Sequence, residues 1–129
     1  MRVTGTLVLA VALTSQEAAA DIKRHALIPE PLRGSWSMNT DGCGADDKSI
    51  IVLSDKAYAS GEAQCAVPWV SETASPRGPI FSAHLQCSNQ QAKKGAPSNL
   101  IMRPVDANQM SIGFDLNSLK TYRKCAAKQ

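Results

Sequence analysis

The chain has 129 residues, 19% of them charged, with a formal net charge of +3 at pH 7. This length fits one small domain. The basic residues are scattered rather than gathered in a dense stripe, which argues against nucleic-acid binding. The apolar run over residues 7–13 is too short to cross a bilayer, which takes about 20 residues.

The first 20 residues have the pattern of a secretory signal peptide. Arg2 gives a basic start, residues 7–13 are apolar, and the alanines at 18–20 offer the small-residue pattern of a signal-peptidase site. The alternative is a buried N-terminal helix. We expect residues 1–20 to be a leader and the protein to be periplasmic or secreted.

The rest of the chain is predicted to have three parts. Residues 21–33 have no clear period and contain Pro29 and Pro31, so we expect an extended lead-in segment. A single β domain follows over residues 34–125, and residues 126–129 form a short tail.

Short apolar or alternating runs follow one another along the domain, and no stretch after the leader keeps a helical period for three turns. In the first and seventh runs we expect Trp36 and Met38 to share one face, and Met110, Ile112 and Phe114 to share another. The sequence predicts an all-β fold, an antiparallel meander of seven to eight short strands that closes into a small barrel or sandwich. Strands are expected over residues 32–38, 49–53, 57–60, 63–69, 81–87, 99–105, 109–115 and 120–125.

The centre of this domain is a predicted hairpin whose turn is the Ser-, Pro- and Gly-rich stretch of residues 75–79. Folding the chain about Pro76 places Cys65 opposite Cys87, both on the apolar face. Opposed residues of an antiparallel pair have Cβ atoms about 4.5–5.5 Å apart, close to the separation that a disulfide needs. A Cys65–Cys87 bridge is therefore feasible.

The same pattern places Trp69 and Phe81 inside the hairpin. Pro68 interrupts the first strand and has no N–H to donate to a ladder. It therefore predicts a bulge, a kink or an edge at this point.

All four cysteines lie after the leader, and an even number in a short exported chain indicates two disulfides. Their spacings of 22, 22 and 38 residues lack the short pairs of structural zinc sites. We favour Cys65–Cys87 with Cys43–Cys125, while Cys43–Cys65 with Cys87–Cys125 stays open.

Nothing in the pattern of polar residues indicates catalysis. No serine lies in a G-x-S-x-G elbow, and His84 is expected on the polar face of a strand. Asp46 and Asp47 lack the ligand spacing of a calcium loop, and loop aspartates usually bond to the nearby backbone. We expect no enzyme activity, no cofactor and no metal.

Gly34-Ser35-Trp36 on the first predicted strand resembles the G-x-W opening of lipocalins and of small periplasmic protease inhibitors of Gram-negative bacteria. The wider order resembles that of short exported β-barrel proteins with disulfides. The resemblance implies a small barrel with a binding role. The chain departs from the protease inhibitors in its four cysteines, and residues 60–64 lack the final tyrosine of the S-G-x-x-Y element of periplasmic lysozyme inhibitors. The positions that carry the wider resemblance are Gly34, Trp36, Cys43, Tyr58, Cys65, Cys87, Tyr122, Arg123 and Cys125.

Binding sites on small β scaffolds concentrate in loops, here residues 39–48, 72–79 and 88–98. The stiffest candidate binding loop is Ser75, Pro76, Arg77 and Gly78. We expect a monomeric periplasmic binding module whose partner is a protein or a small ligand of the envelope, as an inhibitor of a hydrolase or a small-ligand binder. The alternative is a non-catalytic structural or accessory protein of the envelope, which would show an exposed apolar patch.

Overall fold

The computed structural model describes residues 5, 10, 11, 22–39, 42–61, 63–88 and 99–126. Most of the predicted leader, of the loop at 88–98 and of the tail lies outside the described residues. Within them, the chain forms eleven strands and a short 3₁₀ helix, Glu30–Leu32. The strands are β1 (Ile22–His25), β2 (Gly34–Ser37), β3 (Ile51–Leu53), β4 (Ala57–Ser60), β5 (Gln64–Ala66), β6 (Val70–Thr73), β7 (Ile80–His84), β8 (Gln86–Cys87), β9 (Asn99–Asp106), β10 (Gln109–Gly113) and β11 (Lys120–Lys124).

All eleven strands belong to one antiparallel sheet in the order β1-β6-β7-β9-β10-β11-β2-β3-β4-β5-β8. The predicted all-β antiparallel fold is confirmed. The strand count differs because both strands of the central hairpin are split in two and β1 adds one more. In the described part of the chain, none of the helices has the length and hydrophobicity needed to span a bilayer.

The sheet is not closed, because β1 and β8 are its two edges and no ladder in the described residues joins them. The predicted barrel is therefore not confirmed. The strands of the central hairpin nevertheless lie near both edges of the sheet. Its tip half, β6 with β7, lies next to β1 and β9, and its base half, β5 with β8, lies next to β4.

The register of the hairpin shifts by one residue between its two halves. Cys65 pairs with Cys87 as predicted, whereas nearer the tip Val70 pairs with Ala83. The shift falls where residues 67–69 leave the ladder. The irregularity predicted at Pro68 is confirmed, since proline cannot donate there.

This shift changes which side chains face the core. Val67 and Val70 are both buried, although three positions separate them, and Phe81 is buried opposite. Trp69 is only half-buried. The prediction that Trp69 lies inside was wrong, because the extra residue in the bulge reverses the alternation that precedes it.

The segment expected as an extended lead-in contributes to the same structure. Its first part is β1, which pairs with β6. Its second part packs Ile28 and Leu32 into the core, and the Ile28 N–H donates to the Asp55 carbonyl over 2.8 Å. Residues 26–32 therefore run from the β6 side of the sheet to the turn between β3 and β4.

The buried apolar side chains of the strands form a hydrophobic core that includes Trp36. Met38 and Phe114, expected to share faces with core residues, are 45% and 47% exposed. Those two predictions were wrong, because β2 ends at Ser37 and β10 ends at Gly113, so the alternation stops before them. The other core residues are Ile28, Leu32, Ile51, Leu53, Tyr58, Ala63, Cys65, Val67, Val70, Phe81, Ala83, Leu85, Leu100, Met102, Met110 and Ile112.

Both predicted disulfides are present, in the pairing that the sequence favoured. Cys43 is bonded to Cys125 across 82 residues of chain, and Cys65 to Cys87 across 22 residues. The first ties the loop after β2 to the end of β11. The second lies inside the ladder between β5 and β8. Two such bonds are typical of proteins that fold in oxidising compartments.

Candidate functional site

A cavity of about 410 Å³ opens at one end of the sheet. It lies between the residues around the 3₁₀ helix and the ends of β2, β7, β9, β10 and β11. Most of its lining is apolar, and four of the lining residues are prolines. The lining residues are Pro29, Pro31, Leu32, Trp36, Pro79, Phe81, Pro104, Asp106, Ala107, Gln109, Met110 and Lys124.

Trp36 is one of the two least exposed residues of this lining, at 1% exposure, with Met110. Its indole Nε1–H donates to the Leu32 carbonyl over 3.0 Å, which satisfies the buried donor. Because Leu32 belongs to the 3₁₀ helix, this bond links that helix to β2. The wall of the cavity is thus held by a buried hydrogen bond as well as by packing.

Among the described residues that line the cavity, Lys124 is the one cation. It pairs with Trp36 across the ladder between β11 and β2, and its Nζ lies 5.6 Å from the centroid of the Trp36 ring. A Cβ added at Gly34 would lie 3.1 Å from Lys124 Cε. The glycine of the G-x-W sequence therefore leaves room for the lysine stem to cross β2 beside the tryptophan.

In the part of the lining that the structure describes, Asp106 is the one carboxylate, and it is exposed. The Asn108 N–H donates to Asp106 Oδ1 over 2.8 Å, so this carboxylate holds the turn between β9 and β10. The backbone N–H of Lys124 donates to the Asn108 carbonyl over 2.8 Å. No salt bridge joins Lys124 to Asp106 among the described residues.

The predicted binding loop lies beside the cavity. The Gly78 N–H donates to the Ser75 carbonyl over 3.0 Å, and the Ser75 hydroxyl donates to the Gly78 carbonyl over 2.6 Å. Gly78 has a φ of +107°, which favours glycine. Pro76 and Arg77 are exposed at the tip. The next residue along the chain, Pro79, contributes to the cavity wall.

Asp47 organises the loop that follows β2. Its carboxylate accepts hydrogen bonds from the Ser37 hydroxyl, from Asn39 Nδ2 at 2.8 Å and from the Cys43 N–H at 3.0 Å. The N–H and hydroxyl of Ser49 donate to it over 2.9 and 2.6 Å. These donors, the Ser37 hydroxyl first, hold the pKa of the Asp47 carboxyl well below its usual range. The expected local bonding of a loop aspartate is confirmed.

A second cluster, on the outer surface, joins β1 to the hairpin. Arg24 Cζ lies 4.2 Å from the centroid of the Trp69 ring, and the Trp69 and His84 rings stack with centroids 5.0 Å apart. On the other face of β1, where its ring contacts Phe81, His25 has its Nε2 2.9 Å from Glu72 Oε1. His84 therefore lies on a strand surface as predicted, but it is half-buried by its contact with Trp69.

Two tyrosines of the wider sequence pattern face the interior. Tyr58 is buried and Tyr122 is half-buried. Burial, with a smaller contribution from Tyr58, raises the pKa of the Tyr122 phenol above its usual value. Tyr122 is therefore uncharged across the physiological pH range. Its hydroxyl can donate a hydrogen bond but does not supply an anion.

No family model matches this chain, and neither does a curated protein or a solved structure. The cavity must therefore be interpreted from its own residues. Sequence reasoning found Trp36, Phe81 and the neighbouring turn but missed Lys124 and the wall of prolines. The sequence signal for Lys124 was its place in Tyr122-Arg123-Lys124-Cys125. It lies two residues after an inward-facing tyrosine and therefore on the same face of the strand.

Proposed function

We propose that this protein is an exported module that binds a small ligand in the 410 Å³ cavity. The observation that carries the proposal is the composition of the lining, which is mostly apolar with a few polar groups at Asp106, Gln109 and Lys124. Small-molecule sites typically have about 300–1,000 Å³ and this kind of lining. Export is supported by the two disulfides.

The rigidity of the wall supports the same proposal. Trp36 is fixed by its bond to Leu32, and prolines, which have few backbone conformations, make up a third of the lining. A preformed site costs a ligand little in ordering the protein. The lipocalin-like G-x-W opening agrees with a carrier role, because the tryptophan of that sequence is part of the wall.

The test uses N-phenyl-1-naphthylamine, an apolar dye that is uncharged at neutral pH and fluoresces when it leaves water. We expect the oxidised protein to bind it with saturable fluorescence. The variant Ala107→Trp adds a large side chain at the mouth of the cavity and should lower the affinity. The matched control is Ala45→Trp, at an exposed alanine outside the lining.

Circular dichroism would establish that both variants fold. Saturable binding that Ala107→Trp weakens and Ala45→Trp leaves unchanged would support the cavity as the site. If the folded wild-type protein does not bind the dye, or if both variants bind it like the wild type, the cavity is not a ligand site.

A second candidate function, inhibition of a hydrolase, is favoured by the geometry of the turn at Ser75–Gly78. Two hydrogen bonds across this turn hold Arg77 exposed at its tip, and a rigid loop loses little entropy when it enters a cleft. The test measures the activity of purified periplasmic hydrolases with and without the protein. Arg77→Ala should abolish any inhibition, whereas Arg33→Ala, at an arginine outside the turn that is bonded to the Ile28 carbonyl, should affect inhibition only if it unfolds the protein.

A further inference from the structure

We infer that the ligand of the cavity is an amphiphile with an apolar body and a single anionic group, which binds to the ammonium of Lys124. This inference rests on the proposed function and specifies the ligand class for the same cavity. Its basis is the position of a lysine that has no salt-bridge partner in the described part of the chain, beside a wall that is otherwise mostly apolar.

The fold directs the Lys124 side chain toward the cavity. Lys124 lies opposite Trp36 in the ladder, and its Nζ remains within 5.6 Å of the Trp36 ring. Its Cε lies over Gly34, where a Cβ would be 3.1 Å away. The stem of the lysine is thus packed along β2, which fixes the ammonium near the mouth and reduces the entropy lost when it binds an anion.

The charge near the mouth also favours an anion. Of the described residues that line the cavity, Lys124 and Asp106 are the only ones with charged side chains. The Asp106 carboxylate already accepts the Asn108 N–H and is exposed to solvent. Among the described residues, the Trp36 ring is the partner of opposite polarity that Lys124 has. An anionic ligand would add a charge-assisted hydrogen bond, which is stronger than a neutral one.

Lys124 also lines a neighbouring cavity of about 400 Å³, beside the Cys43–Cys125 disulfide. Lys124 is therefore shared by the linings of both cavities. An apolar body in the first cavity would bring its head group to this lysine. This arrangement predicts that ligand affinity depends on both the head-group charge and the length of the apolar chain.

The experiment compares three ligands with the same apolar chain, namely decanoate, 1-decanol and decyltrimethylammonium, by isothermal titration calorimetry below their micelle concentrations. We expect decanoate to bind at least about tenfold more tightly than decanol. A hydrogen bond to a charged group typically changes a dissociation constant by more than tenfold. Lys124→Met keeps an apolar stem over Trp36 and should remove this preference without weakening decanol. Lys124→Arg should retain it.

Lys120→Met is the matched control, because Lys120 lies exposed on the same strand and outside the lining. It should bind all three ligands like the wild type. Equal affinities for decanoate and decanol, unchanged in Lys124→Met, would overturn the anionic ligand class and leave the cavity as a site for neutral molecules. Tighter binding of decyltrimethylammonium would also overturn it and assign the selection to Asp106. If none of the three binds although the dye does, the amphiphile class is wrong and the proposed function stands, whereas the absence of binding by the dye as well means that the proposed function itself fails.

Discussion

The two regions that disulfides close in this molecule are held by different interactions. In the central hairpin, the Cys65–Cys87 bond connects residues that already face each other in a ladder. In the loop after β2, the Cys43–Cys125 bond connects the end of β11 to a segment whose described residues, 38, 39 and 42–49, form no strand. There the side chain of Asp47, rather than a neighbouring strand, accepts hydrogen bonds from the backbone.

This difference shows how much of each region depends on its covalent bond. The hairpin has backbone hydrogen bonds to β4 on one side and to β1 and β9 on the other. The described part of the loop relies on the bonds of the Asp47 carboxylate, and its Cys43 has a φ of +79°, a conformation that is costly for a residue with a Cβ. We therefore expect the loop to be the more sensitive of the two to local substitutions.

The largest expected effect comes from removing each disulfide in turn. The chain-entropy relation gives about 4.5 kcal/mol of stability for a bond that closes 82 residues and about 3.4 kcal/mol for one that closes 22 residues. The double variant Cys43→Ala with Cys125→Ala should therefore lose more stability than Cys65→Ala with Cys87→Ala. Urea unfolding monitored by circular dichroism would give both free energies.

Replacing Cys65 also leaves a small cavity, because this residue is buried. If the hairpin variant proves the less stable of the two, the loss of buried contacts at Cys65 costs more stability than the longer closed loop provides. The backbone hydrogen bonds of the ladder then do not make up for the lost disulfide. In that case the contrast between the two regions would not hold.

The next effect concerns the space inside the loop. A Cβ at Gly42 would lie 2.6 Å from Asp47 Oδ2 and 2.7 Å from the Asn39 carbonyl oxygen, whereas a Cβ at Gly44 meets nothing within 4 Å. Gly42→Ala should therefore lower the free energy of unfolding by roughly 1–3 kcal/mol, as overpacking typically does. Gly44→Ala, two residues away, is the control and should stay close to the wild type in the same urea titration. Equal stabilities would mean that the Asp47 cluster rearranges without cost.

A smaller effect is expected in the pH dependence of the same loop. The donors around Asp47 lower its pKa in the folded state, so its contribution to stability is fully present above the unfolded pKa of about 3.9. It is lost as the pH falls from there through the folded pKa. The difference in melting temperature between wild type and Asp47→Asn should be constant from pH 7 to 5 and shrink at pH 3 and 2. Asp46→Asn, at the exposed neighbour, is the control, and a difference that persists unchanged at pH 2 would contradict the role of the Asp47 charge.

How far the sequence predicts this molecule depends on whether the signal is local. The alternation of Phe81, Ala83 and Leu85 defines one strand of the hairpin, and the symmetry of Cys65 and Cys87 about Pro76 predicts their pairing. The orientation of Trp69 was not predictable in the same way. A proline indicates an irregularity, but the pattern does not say how many residues the bulge contains, and one residue reverses the face.

The candidate site was less accessible to sequence reasoning, because its wall is assembled from distant segments. Pro31, Phe81 and Pro104 come from three separate parts of the chain. The predicted meander gives neighbouring strands, but it does not say which strand ends meet the segment that precedes β2. Lys124 gave a local signal because it lies two residues after Tyr122, on the same face of the strand. A lysine, however, is usually a surface residue. The pairing of Lys124 with Trp36 gives that lysine its role in the cavity.

The smallest effect concerns the outer face of the hairpin, where side chains supplement the ladder between β1 and β6. Arg24 lies over the Trp69 ring at 4.2 Å, and an exposed cation–π contact contributes about 0.5–1 kcal/mol. A double-mutant cycle of Arg24→Gln and Trp69→Leu should give a coupling free energy in this range. Lys23→Gln, at the preceding exposed residue, should show no coupling to Trp69→Leu. A coupling near zero for Arg24 would mean that backbone pairing alone holds β1 to the hairpin, which would widen the contrast with the loop, where one side chain replaces the ladder.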